Sequence, residues 1–298
     1  MTLPISGRTA LVGVLGDPVR HSLSPAMHNA ALAELGLDWA YLALPAPAQE
    51  LATVVRGLEA MGCRGLSVTI PHKQAVAALC RDLSPLADRI GAVNTLVPLA
   101  GGGWLGTNTD AEGFMAPLRH ADWHGKRALV LGCGGSARAV VAGLVELGFG
   151  RIHVAARRPD ALEAFRQSCG PWAPQLTPLA WGELAGGTEA PLAQADLVVN
   201  TTPLGMASAT DQEATLACPL ETAQLDQLQT GATVYDLIYT PRPTQLLRQA
   251  AARGCQVQDG LEMLVQQGAA ALKLWSGLDA VPTDAMRAAV EAALVSQA

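Results

Sequence analysis

The sequence predicts an α/β chain in two domains, each with a mostly parallel sheet covered by helices. Three observations carry this. Short apolar runs alternate with segments of helical periodicity, the pattern of repeated β-α units. Gly and Pro mark the breaks, as at Gly16-Asp17-Pro18, Gly36, Gly62 and Gly148. The chain has 298 residues, 50% of them hydrophobic and 15% charged, a globular composition long enough for about two domains.

The elements follow in order. Ala10–Leu15 is a strand, Pro25–Leu35 a helix closed by Gly36, and Trp39–Leu44 a strand. Glu50–Met61 reads as helix, Gly65–Ile70 as a strand stopped by Pro71, Lys73–Arg81 as helix and Ala92–Pro98 as strand. A second unit begins near Thr107. It has a strand at Arg127–Leu131, a helix at Ala137–Leu147 ending at Gly148, and strands at Arg151–Ala155, Asp196–Asn200 and Thr233–Ile238. Pro171–Pro191, rich in Pro, Gly and Trp, reads as loop, and Ala207–Gln229, polar and acidic, as a partly mobile surface segment. Leu261–Trp275 and Asp284–Ser296 read as terminal helices.

Composition excludes several classes. The net charge is −6 and no basic block exists to track a phosphate backbone, so nucleic acid is not an expected partner. No apolar run has the length of a membrane span, and Met1–Gly7 lacks the pattern of a signal peptide. Cys63, Cys80, Cys133, Cys169, Cys218 and Cys255 show no C-x-x-C pair or zinc-ligand spacing. They read as reduced thiols of a cytoplasmic protein that holds no metal.

Gly132-Cys133-Gly134-Gly135-Ser136-Ala137 joins the Arg127–Leu131 strand to the next helix. Glycine serves where a chain turns with positive φ and where backbone must approach a diphosphate. Unpaired N–H groups at the helix start then face the anion. Strand, turn, helix and next strand all fall in place, so the second domain is read as Rossmann-type. Sites for NAD usually carry Asp or Glu at the end of the following strand. Here the chain reads Ala155-Ala156-Arg157-Arg158-Pro159, and guanidinium groups suit the 2′-phosphate of NADP.

In the first domain His21-Ser22-Leu23-Ser24-Pro25 runs into a helix, and Ser22 and Ser24 can donate to both oxygens of a small carboxylate. Taken alone, Ser24 reads as a helix cap. Ser67-Val68-Thr69-Ile70-Pro71-His72-Lys73, Ala92-Val93-Asn94-Thr95 and Gly106-Thr107-Asn108-Thr109-Asp110 fall at strand ends, where open α/β sheets bind ligands. Taken alone, Lys73 reads as a surface lysine and Asp110 as the cap of a helix over Ala111–Leu118. Their joint placement points instead to acid–base work. Oxidising an alcohol with NADP releases a proton as the hydride leaves, a positioned lysine can take it, and an aspartate can orient the lysine and bind the hydroxyl.

These motifs, with Asn200-Thr201-Thr202-Pro203-Leu204-Gly205-Met206, Tyr235-Asp236-Leu237-Ile238-Tyr239 and Gly260-Leu261-Glu262-Met263-Leu264-Val265-Gln266-Gln267, resemble in kind and order those of the shikimate dehydrogenases. The resemblance runs from Val12 to about Trp275. It implies NADP-dependent interconversion of 3-dehydroshikimate and shikimate, in aromatic amino-acid biosynthesis. It also implies that the last helices return to the first domain, giving 1–106 with 261–298 as substrate domain and 107–260 as NADP domain. By position, Ser22 and Ser24 look like the carboxylate-binding serines, and Thr69, Asn94, Tyr239 and Gln267 like further substrate contacts. Lys73 and Asp110 look like the catalytic pair, which also touches substrate. Gly132, Cys133, Gly134, Gly135, Ser136 and Ala137 should hold the diphosphate, Arg157 and Arg158 the 2′-phosphate, with Thr201 and Thr202 nearby. Leu237, Gly260 and Met263 should lie near the nicotinamide. A homodimer is implied by the resemblance alone.

The sequence departs from the family pattern in places. Ala156-Arg157-Arg158 stands where the family often has Asn-Arg-Thr, Leu23 where Lys is common, and Gly268 where Ala is usual. Two other readings compete. A quinate/shikimate dehydrogenase of broader specificity would tend to favour NAD and to modify the serine loop. A non-catalytic NADP- or shikimate-sensing protein should have lost Lys73 or Asp110.

Overall fold

The computed structural model describes residues 4–207 and 212–297. Two compact units emerge, one of residues up to Gly113 together with Leu264 onward, the other Phe114–Met263.

The first unit opens with β1 (Ala10–Gly16), α1 (Ser24–Glu34) and β2 (Trp39–Pro45). Gly36, at φ +65°, provides the left-handed turn that ends α1. Then come α2 (Leu51–Ala60), β3 (Gly65–Val68), β4 (Asp82–Leu83), α3 (Pro85–Ile90), β5 (Thr95–Pro98), β6 (Trp104–Thr107) and α4 (Asp110–Met115). The sheet order is β2-β1-β3-β5-β6-β4. β1 pairs in parallel with β2 and β3, and β4 with β6, but β5 runs antiparallel to both β3 and β6. The sheet is therefore mixed. One core lies on the face of Leu15, Leu66 and Val68, against Val55 and Trp104.

The second unit contains β7 (Arg127–Leu131), α5 (Gly135–Glu146), β8 (Arg151–Ala156), α6 (Pro159–Cys169), β9 (Leu176–Ala180), β10 (Leu197–Asn200), α7 (Thr222–Leu225), β11 (Thr233–Asp236), α8 (Gln245–Ala251) and β12 (Gln256–Gln258). Its order, β12-β11-β10-β7-β8-β9, is fully parallel. The order reverses between β7 and β10, which is the switch point of a doubly wound sheet. Both faces are covered. Ala128 and Val130 face Val140, Leu144 and Phe165, while Leu129 and Leu131 face Leu225, Leu246 and Leu247. This explains the uninterrupted apolar strands. The chain then runs into α9 (Leu261–Ser276) and α10 (Thr283–Gln297), and most of α9 and all of α10 belong to the first unit.

Several expectations are corrected. Lys73–Arg81 is not an α-helix; only Ala75–Leu79 forms a 3-10 turn. The Lys73 carbonyl, which a helix would use, accepts from Val93 N–H at 2.7 Å instead. Pro171–Pro191 is not all loop, because β9 lies within it. β9 is an edge strand, where Pro178 is tolerated. Within Ala207–Gln229, positions 208–211 lie outside the described residues, while Leu220, Leu225 and Leu228 are buried in the core. α6 is an addition to the predicted elements, although Pro159, Asp160 and the apolar spacing Leu162, Phe165, Cys169 announce it.

Candidate active site

The first-unit site is built on the ends of β3 and β5 and the start of α4. Lys73 Nζ donates to Asp110 Oδ2 at 2.6 Å, with side chains 15% and 6% exposed. Asn94 Nδ2 donates to the other carboxylate oxygen, Oδ1, at 2.8 Å. The same amide reaches Gln267 Oε1 at 3.4 Å. Thus Lys73, Asn94, Asp110 and Gln267, drawn from four separate segments, form one hydrogen-bonded group.

Supporting residues fix each member. Asn94 Oδ1 accepts from Thr109 N–H at 2.7 Å and from Thr95 Oγ1 at 2.9 Å. Gln267 Nε2 donates to the Leu264 carbonyl at 2.9 Å. Asn108 Oδ1 accepts from the N–H of Asp110 at 3.0 Å and of Ala111 at 3.4 Å. Asn108 therefore satisfies the start of α4, and the Asp110 carboxylate is not a helix cap. Lys73 is not a surface lysine either. Its neighbour His72 is buried, and His72 Nε2 lies 2.6 Å from the Ala46 carbonyl, which can only accept, so that nitrogen donates. Asn108, Thr95, Thr109 and His72 are not assigned roles by the sequence reading. The Asn-Thr-Asp run beside a predicted helix is the signal available for Asn108.

Ser22 lies on the loop after β1, and Ser24 opens α1. Ser22 Oγ accepts from Ser24 N–H at 3.2 Å, and Ser24 is the first residue of α1, with no side-chain cap at that terminus. The cap reading of Ser24 is thereby corrected. Thr69 follows β3, its N–H donating to the Leu15 carbonyl at 2.9 Å. Gly16 makes room for it, since a Cβ there would come within 2.5 Å of Thr69 Cγ2.

In the second unit Gly132 turns the chain after β7 at φ +107°. A Cβ at that position would come within 2.6 Å of Thr201 Oγ1, and this hydroxyl donates to the Leu131 carbonyl at 2.8 Å. Gly134 precedes α5 with open space where a side chain would stand, and no side chain caps the helix. The N–H groups of Gly135 and Ser136 therefore remain for an anion. Ala137 instead faces the core. Burial pushes the Cys133 thiol above its usual range, against the opposing pull of Arg158 and Arg138.

Arg157 and Arg158 follow β8 and are exposed; among the described residues neither pairs with a carboxylate. Arg157 also lines a groove with Pro159, Glu163 and Trp181. Unpaired guanidinium groups beside a glycine turn fit the phosphates of NADP. Thr202 Oγ1 donates to Asn200 Oδ1 at 2.7 Å, and Asn200 Nδ2 donates to Asp236 Oδ1 at 3.0 Å. Asp236 also accepts from Thr244 Oγ1 at 2.7 Å. Burial raises Asp236 from 3.8 to about 6, with Asp259 adding a like charge. This clamp ties the ends of β10 and β11 together. Leu237, Gly260 and Met263 gather at that end. Leu237 packs against the core cluster that includes Met263, and a Cβ on Gly260 would overlap the Leu237 carbonyl. Tyr239 follows β11 in this second unit and is partly buried.

Comparison with known proteins finds relatives along nearly the whole chain. The model of the shikimate dehydrogenase substrate binding domain matches residues 14–96, and that of the shikimate 5'-dehydrogenase C-terminal domain residues 260–291. The shikimate dehydrogenase (NADP(+)) of Trichormus variabilis is 51% identical, covering 96% of this chain and 98% of its own. Shikimate 5-dehydrogenase of Thermus thermophilus, solved with NADP(H) and shikimate, is 37% identical with a TM-score of 0.82, over 96% of this chain and 100% of that one. Quinate dehydrogenase of Corynebacterium glutamicum, solved with NAD, is 30% identical with a TM-score of 0.83, over 95% of this chain and 99% of that one.

Proposed function

The chain belongs to the shikimate dehydrogenase family, and from that premise we propose that it reduces 3-dehydroshikimate to shikimate, reversibly, with NADP. The observation that carries this reading is the Lys73–Asp110–Asn94–Gln267 group, a polar, largely buried hydrogen-bonded set. NADPH, when bound, supplies the hydride that reaches the carbonyl carbon. Lys73 gives its proton to the carbonyl oxygen as charge develops there, and the neutral amine takes that proton back in the oxidation direction. Asp110 holds Lys73 through one oxygen and is held by Asn94 through the other, so the ammonium is aimed before substrate arrives. Ser22 and Ser24 donate to the substrate carboxylate, and Thr69, Asn94 and Gln267 hold its ring hydroxyls. Arg157 and Arg158 favour NADP over NAD by pairing with the 2′-phosphate.

The reading extends to a cytoplasmic homodimer. Its location is supported by six cysteines without disulfide partners, and light scattering measures its assembly. Among the described residues no helix is long and apolar enough to cross a membrane, and no group of side chains could hold a metal.

The test is absorbance of reduced nicotinamide with purified protein, shikimate and NADP, beside cuvettes holding NAD or quinate. Fast reduction with shikimate and NADP alone is the expected outcome. Comparable kcat/KM with quinate or NAD moves the protein to the broad-specificity reading. Silence in every cuvette with NADP still binding moves it to the sensor reading.

A further inference from the structure

A second polar group lies in the first unit, on the sheet face opposite the Leu66–Val68 core. Val12 pairs with Tyr41 on one side and Gly65 on the other, and Val14 pairs with Ser67. In a parallel sheet these register positions put Tyr41, Gly65 and Ser67 on one face. Gly65 has no side chain, and the Trp275 ring occupies the place a Cβ would take. Trp275 is held there by its Nε1–H, which donates to the Leu96 carbonyl at 3.0 Å.

Tyr41 is clamped on this face. Its backbone N–H and carbonyl both bond to the Asn29 amide of α1, at 2.9 Å each. Its ring stacks on His28 with centroids 4.2 Å apart and planes 6° from parallel. Both residues are fully buried. Burial lowers the His28 imidazole to about 3, so it is neutral and stacks as an uncharged ring. A side chain at Gly268 would press on Met27 and come within 3.1 Å of His28 Nε2. Glycine keeps that contact open.

The phenol of Tyr41 lies beside the hydroxyls of Ser67 and Ser24. Yet Tyr41 Oη and Ser67 Oγ, both buried, have no well-formed hydrogen bond among the described residues. Two buried hydroxyls left so are costly, and their ready partners are each other and Ser24. A serine has one proton to donate. If Ser24 gives its proton to a carboxylate, its oxygen needs a donor behind it.

We propose that Tyr41 is a positioning residue of the carboxylate subsite, its phenol donating to Ser24 Oγ and accepting from Ser67 Oγ, so that Ser24 points its own proton at the substrate carboxylate. This rests on the reading of Ser24 as a carboxylate donor. The line runs Ser67 to Tyr41 to Ser24 to carboxylate, each hydroxyl polarising the next. Burial raises the Tyr41 phenol far above its usual range, so it keeps the proton it must donate. The His28 stack sets the ring plane and hence the direction of that proton.

The test is a double-mutant cycle with Tyr41→Phe and Ser24→Ala. Tyr41→Phe keeps the ring and its stacking and removes only the hydroxyl. We expect KM for shikimate to rise roughly 3- to 10-fold, the weight of one hydrogen bond, with kcat and KM for NADP within about twofold. In the Ser24→Ala background the same change should have no further effect, because coupled residues are not additive. An unchanged KM in Tyr41→Phe, or an equal rise in both backgrounds, overturns the proposal. If Ser24→Ala itself leaves KM for shikimate unchanged, the carboxylate reading of Ser24 fails and the relay falls with it. Should Tyr41→Phe not fold, as judged by thermal melting, Ser67→Ala in the same cycle decides, with the same expected and contrary outcomes.

Discussion

Asn94 holds Asp110 through the carboxylate oxygen that Lys73 leaves free: Nδ2 to Oδ1 is 2.8 Å, and Nζ to Oδ2 is 2.6 Å. Neither contact alone would fix the lysine. With both oxygens engaged the carboxylate cannot rotate, and Lys73 is delivered in one orientation.

The first prediction concerns that lysine. Lys73→Ala should lower kcat by roughly 10²–10⁴, the usual weight of one acid–base group, with a modest change in KM. Asp110→Asn should reduce both turnover and affinity for shikimate, since its carboxylate holds Lys73 and, on the proposed function, binds the substrate hydroxyl. Steady-state kinetics with shikimate check both, and near-normal kcat in Lys73→Ala reassigns the proton to another group.

Asn94 should behave differently from a mere substrate contact. Asn94→Ala frees the second oxygen of Asp110 and removes the acceptor for Thr109 N–H. Turnover should fall at least tenfold, the scale of lost positioning, alongside a higher KM. A rise in KM with kcat intact would confine Asn94 to substrate binding.

The proposed function assigns cofactor choice to the arginines after β8. Arg157→Ala should raise KM for NADP far more than KM for NAD, because only NADP carries the 2′-phosphate. The added affinity should also weaken with salt, as exposed charge pairs do. Equal effects on the two cofactors would remove Arg157 from the 2′-phosphate site.

The Asp236 clamp predicts a pH dependence of stability. Its folded pKa is raised from 3.8 to about 6 by burial. The folded state then binds this proton more tightly than the unfolded state, so the group costs stability above pH about 6 and the cost disappears as pH falls toward 4. The magnitude is on the order of 3 kcal/mol at most, from about two pKa units. Denaturant titrations of the protein and of Asp236→Asn should diverge across this window, the native carboxylate losing stability relative to the amide as pH rises. Parallel profiles would show that Asp236 does not titrate there.

Some of this protein was determined by the sequence alone. The glycine turn from Gly132 to Gly135, flanked by strand and helix, is a local signal, because phosphate approach and positive φ are demanded within a few residues. The same holds for the missing carboxylate at Ala156-Arg157-Arg158, and for the helices of Pro25–Leu35 and Leu261–Trp275, whose periodicity is complete in itself. Other features were decided by tertiary structure. Lys73–Arg81 has helical periodicity, but Val93 takes the Lys73 carbonyl and only a 3-10 turn remains. Ala92–Pro98 looks like another parallel strand, yet only Thr95–Pro98 pairs, and in the antiparallel sense. Ser24 and Asp110 sit where caps belong, and each side chain is directed elsewhere. Asn94 and Gln267 are 173 positions apart, and no local pattern can say that they share a hydrogen bond. The physical reason is common to all of these: a backbone conformation is chosen within a few residues, whereas a buried polar atom takes whichever partner the packed chain brings to it.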